Sequence, residues 1–173
     1  GINSIIIDKG NFIGGRISTR EVKYGSSSNF FFHGAQFFTA KTPEFKKIIT
    51  TGINGKYIKE FGNFDPKRYR GNKTMRDFLL NLSKKLHIQQ KVKIIGIKSD
   101  NNKIKVLDNK IKKWISYDGG ISTLPAPQNC ELLNQFPSLQ KTLNTGSYHA
   151  CIALMFTFDE VPSGLNTYYD FYK

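Results

Sequence analysis

Two short stretches near the start of the sequence have residue types suited to binding a phosphorylated ligand. Asp8 follows the largely β-branched run at residues 4–7, and a carboxylate at the end of a strand can accept hydrogen bonds from two ribose hydroxyls. Gly14 and Gly15 allow the backbone to approach a ligand closely, and Arg16 beside them can pair with an anion. Taken alone, this second stretch is equally well explained as a glycine-rich turn with a surface arginine.

Two other kinds of site are excluded because the residues they need are missing. Residues 10–15 have the G-x-x-x-x-G spacing of a P-loop, but Arg16 and Ile17 follow where that motif requires Lys and then Ser or Thr. The histidines are far apart in the sequence and have no acids at ligand spacing, so we expect no metal site. No general base is evident, and the catalytic residues are therefore unknown.

The apolar run that ends at Asp8 is typical of a short parallel strand buried on both faces. A parallel strand needs a partner joined by a crossover, and nothing upstream supplies one, so we expect the chain to begin after a missing βα unit. Helices are expected at residues 42–49, with Thr42 as the N-cap, and at residues 74–86. Short strands are expected at residues 92–97, 103–107 and 113–117, forming a meander with turns at residues 100–102 and 108–110. Two more strands are expected at residues 121–128 and 150–159. The predicted fold class is therefore α/β.

Composition and charge favour a globular, cytoplasmic protein without a membrane span. The longest apolar runs are far shorter than the ~20 residues that a transmembrane helix needs. Cys130 and Cys151 form no C-x-x-C pair, as expected for a reducing compartment. The net charge is +13, but only five of the 26 basic residues are Arg, and no basic stripe with interleaved aromatics is evident. A Lys-rich compositional drift therefore explains the charge better than nucleic-acid binding does.

Three longer motifs occur in order along the chain. Residues 14–20 read G-G-R-I-S-T-R, residues 32–39 read F-H-G-A-Q-F-F-T, and residues 117–128 read Y-D-G-G-I-S-T-L-P-A-P-Q. Together they resemble the renalase-like branch of the FAD-dependent flavin amine-oxidase superfamily. The resemblance covers nearly all of the chain, and the ordered spacing of the motifs makes it specific.

The resemblance implies which residues bind FAD. Asp8 would hold the adenosine ribose, and the stretch at residues 14–20 would run past the pyrophosphate toward the flavin. His33 would lie beside the isoalloxazine, either as a flavin-tuning group or as a hydrogen-bonded structural histidine. The backbone of Val92 would contact the adenine, and the strand at residues 121–128 would close the cofactor domain. The implied cofactor-binding residues are Asp8, Gly14, Gly15, Arg16, His33, Gly34, Ala35, Gln36, Phe37, Val92 and Pro125.

The resemblance also implies two domains, of which this chain holds parts. A Rossmann-like FAD-binding domain, with a parallel sheet and a β-meander, would be formed by residues 1–40 and 86–128. An α+β substrate domain would contain mainly residues 41–85 and 129–173. The family's first G-x-G-x-x-G turn and its C-terminal flavin-binding segment are not in the sequence. We therefore expect a fragment that, expressed alone, is inactive and retains no FAD.

The function implied by the resemblance is hydride transfer from a small-molecule donor to FAD. The donor would be a reduced nicotinamide or an amine, with O2 as the acceptor and H2O2 as the product. No nucleic-acid or membrane partner is expected, and the sequence does not determine the oligomeric state. Two alternatives stay open, namely a non-catalytic flavoprotein remnant and a basic nucleic-acid-binding module.

Overall fold

The computed structural model describes residues 2–156 and contains short strands, helices and 3₁₀ turns in that range. The strands are β1 (Ile6–Ile7), β2 (Arg20–Tyr24), β3 (Ser27–Phe31), β4 (Ile58–Glu60), β5 (Tyr69–Gly71), β6 (Ile88–Gln89), β7 (Ile94–Asp100), β8 (Lys103–Asp108) and β9 (Trp114–Tyr117). The helices are α1 (Pro43–Asn54), α2 (Arg76–Leu82), α3 (Ala126–Leu132) and α4 (Pro137–Leu143), with 3₁₀ turns at Gly15–Ile17 and Ser83–Lys85. This mixture confirms the predicted α/β class.

The described chain divides into two units. The first unit combines Gly1–Phe12 with Leu86–Cys151, and the second contains Ile13–Lys85 and the described residues from Ile152 onward. A boundary between residues 85 and 86 is also expected from the sequence. The boundaries expected after residues 40 and 128 instead fall inside the second and the first unit respectively.

In the first unit, β1 pairs in the parallel direction with β6, so that Ile6 lies opposite Ile88 and Ile7 opposite Gln89. The prediction of a parallel strand here is confirmed, but the strand is shorter than the apolar run and its partner comes from later in the chain. Ile6 is 45% exposed, so the expectation of burial on both faces is wrong. A parallel strand is buried on both faces only where other elements cover the sheet, and among the described elements β1 makes its main contacts with β6.

The predicted meander of the first unit is confirmed as an antiparallel sheet in the order β7, β8, β9. Asn101 and Asn102 form the tight turn between β7 and β8 with φ angles of 49° and 57°. Asparagine tolerates this left-handed backbone region better than most residues do. The local sequence of the turn therefore determines where the first hairpin reverses.

Two expected strands are not formed. Residues 121–125 make no strand and α3 begins at Ala126, so the strand expected at residues 121–128 is wrong. The amide of the buried Asn129 donates to the Leu124 carbonyl at 2.7 Å and its oxygen accepts from the Ser122 hydroxyl, which ties the segment to α3 as a loop. Residues 150–156 also form no strand, and the rest of the strand predicted at residues 150–159 lies outside the described residues.

Both predicted helices of the second unit are confirmed. The Thr42 hydroxyl accepts a hydrogen bond from the Phe45 amide at 3.2 Å, as expected of an N-cap, and α1 runs five residues past its predicted end to Asn54. The Asp77 carboxylate in the first turn of α2 fixes the segment that leads into the helix, because it accepts from the Lys73 amide at 2.6 Å. The last turn predicted for this helix is a 3₁₀ turn in the structure.

The hydrophobic core of the second unit forms where α1, α2 and β4 meet. Ile49, Ile58 and Phe78 are 3%, 2% and 5% exposed. A Cβ at Gly52 would overlap the Ile58 side chain, so α1 can lie this close to β4 because it has glycine there. Partly buried hydrophobic residues packed around this core are Phe38, Ala40, Phe45, Tyr57, Tyr69 and Leu79.

Two antiparallel hairpins of the second unit were not predicted. In the β2–β3 hairpin, Tyr24 lies opposite Ser27, which leaves Gly25 and Ser26 as a two-residue loop. Glycine followed by serine between two short runs is a recognised hairpin pattern, so this element was predictable. In the β4–β5 hairpin, Lys59 lies opposite Arg70. A longer loop joins these two strands, and no short turn motif in the sequence indicates that they pair.

Replacing Ile58 with Ala is expected to lower the free energy of unfolding by about 2–5 kcal/mol, because it leaves a cavity against α1. Ile58→Val should cost only about 0.5–1.5 kcal/mol. Urea denaturation followed by circular dichroism measures both changes. Ile121→Ala, at a side chain that is 95% exposed, is the control, and an equal loss in Ile58→Ala and Ile121→Ala would contradict the core assignment.

The ion pair between Lys105 and Asp100 in the meander should be detectable in the titration of the Asp100 carboxyl group. The hydrogen bond and charge of Lys105 hold the pKa of Asp100 below its usual value. A carboxyl with a lowered folded-state pKa adds stability above its unfolded pKa, and that contribution is lost as pH falls through the folded pKa. Lys105→Met should therefore raise the pKa of Asp100 in a carbon-detected NMR titration. Asp118, whose pKa is lowered by Lys103, should titrate unchanged in the same variant.

Candidate functional site

In the first unit, Asp8 lies at the carboxyl end of the parallel β1–β6 pair. Its amide donates to the Gln89 carbonyl at 2.9 Å, and its own carbonyl accepts from the Val92 amide at 3.0 Å. Oδ1 of Asp8 accepts from the Gly10 amide at 2.8 Å and so closes the turn after β1. Within residues 2–156 no hydrogen bond reaches the other carboxylate oxygen, Oδ2. The half-buried carboxylate is therefore held in place by the turn and keeps one oxygen for a ligand.

The structure changes the expected roles of two other residues of the first unit. The Val92 amide is already used by the Asp8 carbonyl, so it is not free to donate to an adenine as expected. Pro125 is not the end of a strand. It precedes α3, and its carbonyl accepts from the Asn129 amide at 3.0 Å. Proline is common at the start of helices because it lacks an amide that would need a partner there.

In the second unit, Gly14 and Gly15 form a tight loop that leads into the 3₁₀ turn. Their φ angles are 125° and 48°, and residues other than glycine rarely adopt such positive φ values. A Cβ at Gly15 would meet no atom within 4 Å, so the backbone there is open to approach. A side chain of α2 fixes the start of this loop, because Nε of Arg76 donates a hydrogen bond to the Ile13 carbonyl at 2.9 Å.

Two of the three sequence motifs meet in the second unit. The Ala35 amide donates to the Arg16 carbonyl at 3.0 Å, and the Ser18 hydroxyl lies 2.9 Å from Nε2 of His33. A Cβ at Gly34 would overlap the Arg16 carbonyl oxygen, so the two segments touch through their backbones. The stretches that begin at residues 14 and 33, 19 residues apart in sequence, thus form one contiguous surface.

The side chains of this surface differ in what they contact. Arg16 is exposed, and within residues 2–156 nothing accepts a hydrogen bond from its guanidinium. His33 is also exposed and has Ser18 as a partner, as the structural interpretation of this histidine expects. Ala35 and Gln36 are exposed. Phe37 is half-buried and lies beneath the guanidinium of Arg68, at 4.2 Å from the ring centroid.

Sequence reasoning missed a group of arginines and phenylalanines next to Phe37. Arg68 and Arg70 alternate with Tyr69, so both arginines lie on the face of β5 opposite Tyr69. The guanidinium carbon of Arg68 also lies over the Phe64 ring, and that of Arg70 lies over the Phe61 ring. This local grouping of cations with aromatic rings was not expected from the sequence. The period-two spacing of residues 68–70 was the pattern that could have revealed this face.

The chain matches no family model and no curated protein. Within residues 2–156, no three His, Cys, Asp or Glu side chains are grouped closely enough to hold a metal ion. In the same range, no helix has both the length and the apolar character needed to cross a bilayer. Two separate features suit a ligand. The first unit has an anchored carboxylate at Asp8, and the second unit has an open glycine loop followed by the exposed Arg16.

Gly34→Ala is expected to destabilise the second unit by about 1–3 kcal/mol, because the added methyl group would push the backbone away from Arg16. Hydrogen exchange at the Ala35 amide should speed up more than at amides of α1, since the bond to Arg16 is the one disturbed. Gly119→Ala is the control, because a Cβ there would meet no atom within 4 Å. Equal effects of the two substitutions would show that residues 16 and 34 do not touch.

Proposed function

We propose that this protein is an FAD-dependent oxidoreductase of the renalase-like, flavin amine-oxidase type. The observation that carries the proposal is the backbone contact between the Gly14–Arg16 loop and the segment at residues 33–35 in the second unit. These segments are the two motifs that the resemblance assigns to the pyrophosphate and the flavin. A contact between them is what a shared cofactor surface requires.

The first unit supports the finer proposal of a partial Rossmann-like domain. In such domains an acid at the carboxyl end of a parallel strand binds the ribose hydroxyls. Asp8 ends a parallel pair, its Oδ1 is held by the Gly10 amide, and Oδ2 has no donor within residues 2–156. The β7–β9 meander that follows β6 agrees with the expected order of elements.

The residues present fit the cofactor in each unit taken by itself. In the first unit, Asp8 would accept the ribose hydroxyls. In the second, the open backbone at Gly15 and the fork of Arg16 would lie along the pyrophosphate, since arginine binds phosphate through two parallel N–H bonds. The segment from His33 to Phe37 would lie beside the flavin. FAD, when bound, supplies the hydride acceptor and the route of electrons to O2, which gives H2O2.

The chain's own contribution to the reaction would be binding and orientation. We propose a small-molecule donor, either a dihydronicotinamide or an amine, and a cytoplasmic location without a nucleic-acid or membrane partner. No general base is assigned, because a hydride donor of this kind need not lose a proton first. The hydrogen bond between Ser18 and His33 would fix the orientation of the imidazole beside the flavin.

The test is the flavin content and the turnover of the whole gene product that contains this chain. Absorbance in the flavin bands and FAD released on denaturation would support the proposal. Anaerobic bleaching by a dihydronicotinamide or by an amine then identifies the donor class, and H2O2 release on admitting air identifies the acceptor. A folded, colourless protein that takes up no added FAD would overturn the proposal in favour of a non-catalytic remnant.

Asp8→Asn tests the role of the carboxylate charge in ribose binding without breaking the turn after β1. The amide oxygen of asparagine can still accept from the Gly10 amide, while the negative charge is lost. We expect FAD binding to weaken by about 1–3 kcal/mol, the range for losing a charged hydrogen-bond partner. Flavin-release titration gives the change. Asp108→Asn is the matched control, since Oδ1 of Asp108 closes a similar turn in the same unit by accepting from the Lys110 amide at 2.6 Å. FAD retention that is the same in both variants would contradict the role of Asp8.

A further inference from the structure

The β4–β5 hairpin has two different faces. Ile58 and Tyr69 face the hydrophobic core. Lys59 and Arg70 lie directly opposite each other in the antiparallel register, so their side chains share the other face. The Phe61 amide donates to the Arg68 carbonyl at 2.9 Å, which continues the pairing by one step. We call the surface formed by Lys59, Phe61, Arg68 and Arg70, with Phe32, Phe37 and Phe64, the cationic face.

Aromatic rings hold both arginines of the cationic face. The guanidinium carbon of Arg68 lies 3.9 Å from the ring centroid of Phe64. That of Arg70 lies 4.9 Å from the centroid of Phe61 and 5.7 Å from that of Phe32. A cation–π contact attracts the charge of a guanidinium without supplying an oxygen acceptor for its N–H groups. The rings therefore hold Arg70 in place without satisfying its N–H donors.

The guanidinium of Arg70 donates no hydrogen bond within residues 2–156. Its Nε is buried, whereas its terminal Nη groups are not. The Nη groups are therefore the donors that a ligand can approach, and a guanidinium with unpaired donors at the surface suits an anion with several acceptor oxygens. The one acidic residue of β4 and β5 is Glu60, which alternates to the opposite face and pairs with Lys67 at 2.8 Å.

Lys59 makes the need for an anion stronger. Like charges on directly opposite residues of an antiparallel pair destabilise the sheet, and here the strand register pairs a lysine with an arginine. An anion between them would offset this repulsion and accept from the terminal Nη groups of Arg70 at the same time. The unpaired donor and the cross-strand repulsion are separate observations, and both are resolved by the same ligand.

We propose that the cationic face binds a phosphate group carried by a small molecule, with Arg70 and Lys59 as the direct ligands. A phosphate has several acceptor oxygens and a charge near −2, which suits a forked donor beside an ammonium. The rings of this face are covered by guanidinium groups, so they offer no open platform on which successive bases of a nucleic acid could stack. A small phosphorylated molecule is therefore the better match. The proposal does not depend on FAD binding.

The direct test is NMR on the full chain with the Nε–Hε groups of arginine labelled. Inorganic phosphate and adenosine monophosphate are added separately, since the first tests the phosphate group alone and the second a phosphate within a nucleotide. The Arg70 Nε–Hε resonance should shift and saturate with at least one of the two. No saturable shift with either at concentrations up to about 10 mM, the range of weak millimolar sites, would overturn the proposal.

Variants supply a second readout by calorimetry. Arg70→Gln should weaken phosphate binding about tenfold or more, and Lys59→Gln about two- to fivefold. Lys67→Gln is the matched control, because Lys67 belongs to the same hairpin but pairs with Glu60, and its affinity should equal that of the wild type. If Arg70→Gln does not fold, Lys59→Gln and the wild-type resonance carry the test.

Two further outcomes would count against the proposal. Equal affinity in folded Arg70→Gln, Lys59→Gln and Lys67→Gln would place the phosphate elsewhere. Tight binding of a short single-stranded oligonucleotide that neither phosphate nor adenosine monophosphate displaces would make the face a nucleic-acid surface instead. Asp8→Asn should leave phosphate binding unchanged, so a failure of this proposal can be told apart from a failure of the FAD proposal.

Discussion

The second unit depends on one antiparallel bridge between Phe38 and Tyr69, in which each amide donates to the other's carbonyl at 2.9 and 2.8 Å. Because side chains alternate along an extended chain, the bridge directs Phe38 and Tyr69 into the core and their neighbours to the opposite face. Phe38 stacks on Phe78 with ring centroids 5.1 Å apart, while the adjacent Phe37 lies beneath Arg68. The same two hydrogen bonds therefore shape both the hydrophobic core and the cationic face.

Hydrogen bonds and close contacts to the main chain, rather than packing between side chains, position the candidate cofactor residues. Gly34 lies against the Arg16 carbonyl and the next amide bonds to it, so the guanidinium of Arg16 takes no part in holding the loop. In the first unit, Oδ1 of Asp8 likewise accepts from the main-chain amide of Gly10 and closes a turn, while Oδ2 is left for a ligand. A site built in this way can lose a side-chain charge and keep its geometry, which allows binding and folding to be measured separately.

The high net charge of the chain says little about function until the positions of the charges are known. Many of the lysines lie on exposed surfaces, where a single charge changes the stability of the fold very little. Lys59 and Arg70 differ because strand pairing brings them to the same face of the hairpin. The positions of such cations in the fold are therefore more informative about function than the total of +13.

The sequence alone was enough to predict the features that depend on neighbouring residues. These are the N-cap of α1 at Thr42, the hairpin turn at Asn101 and Asn102, and the strand that ends at Asp8. The tertiary structure alone decided that Asn129 ties residues 122–124 into a loop, that Gly34 meets Arg16, and that Lys59 faces Arg70. A cap or a tight turn is set by a few consecutive residues, whereas these contacts depend on the register between segments far apart in the chain, which local preferences do not specify.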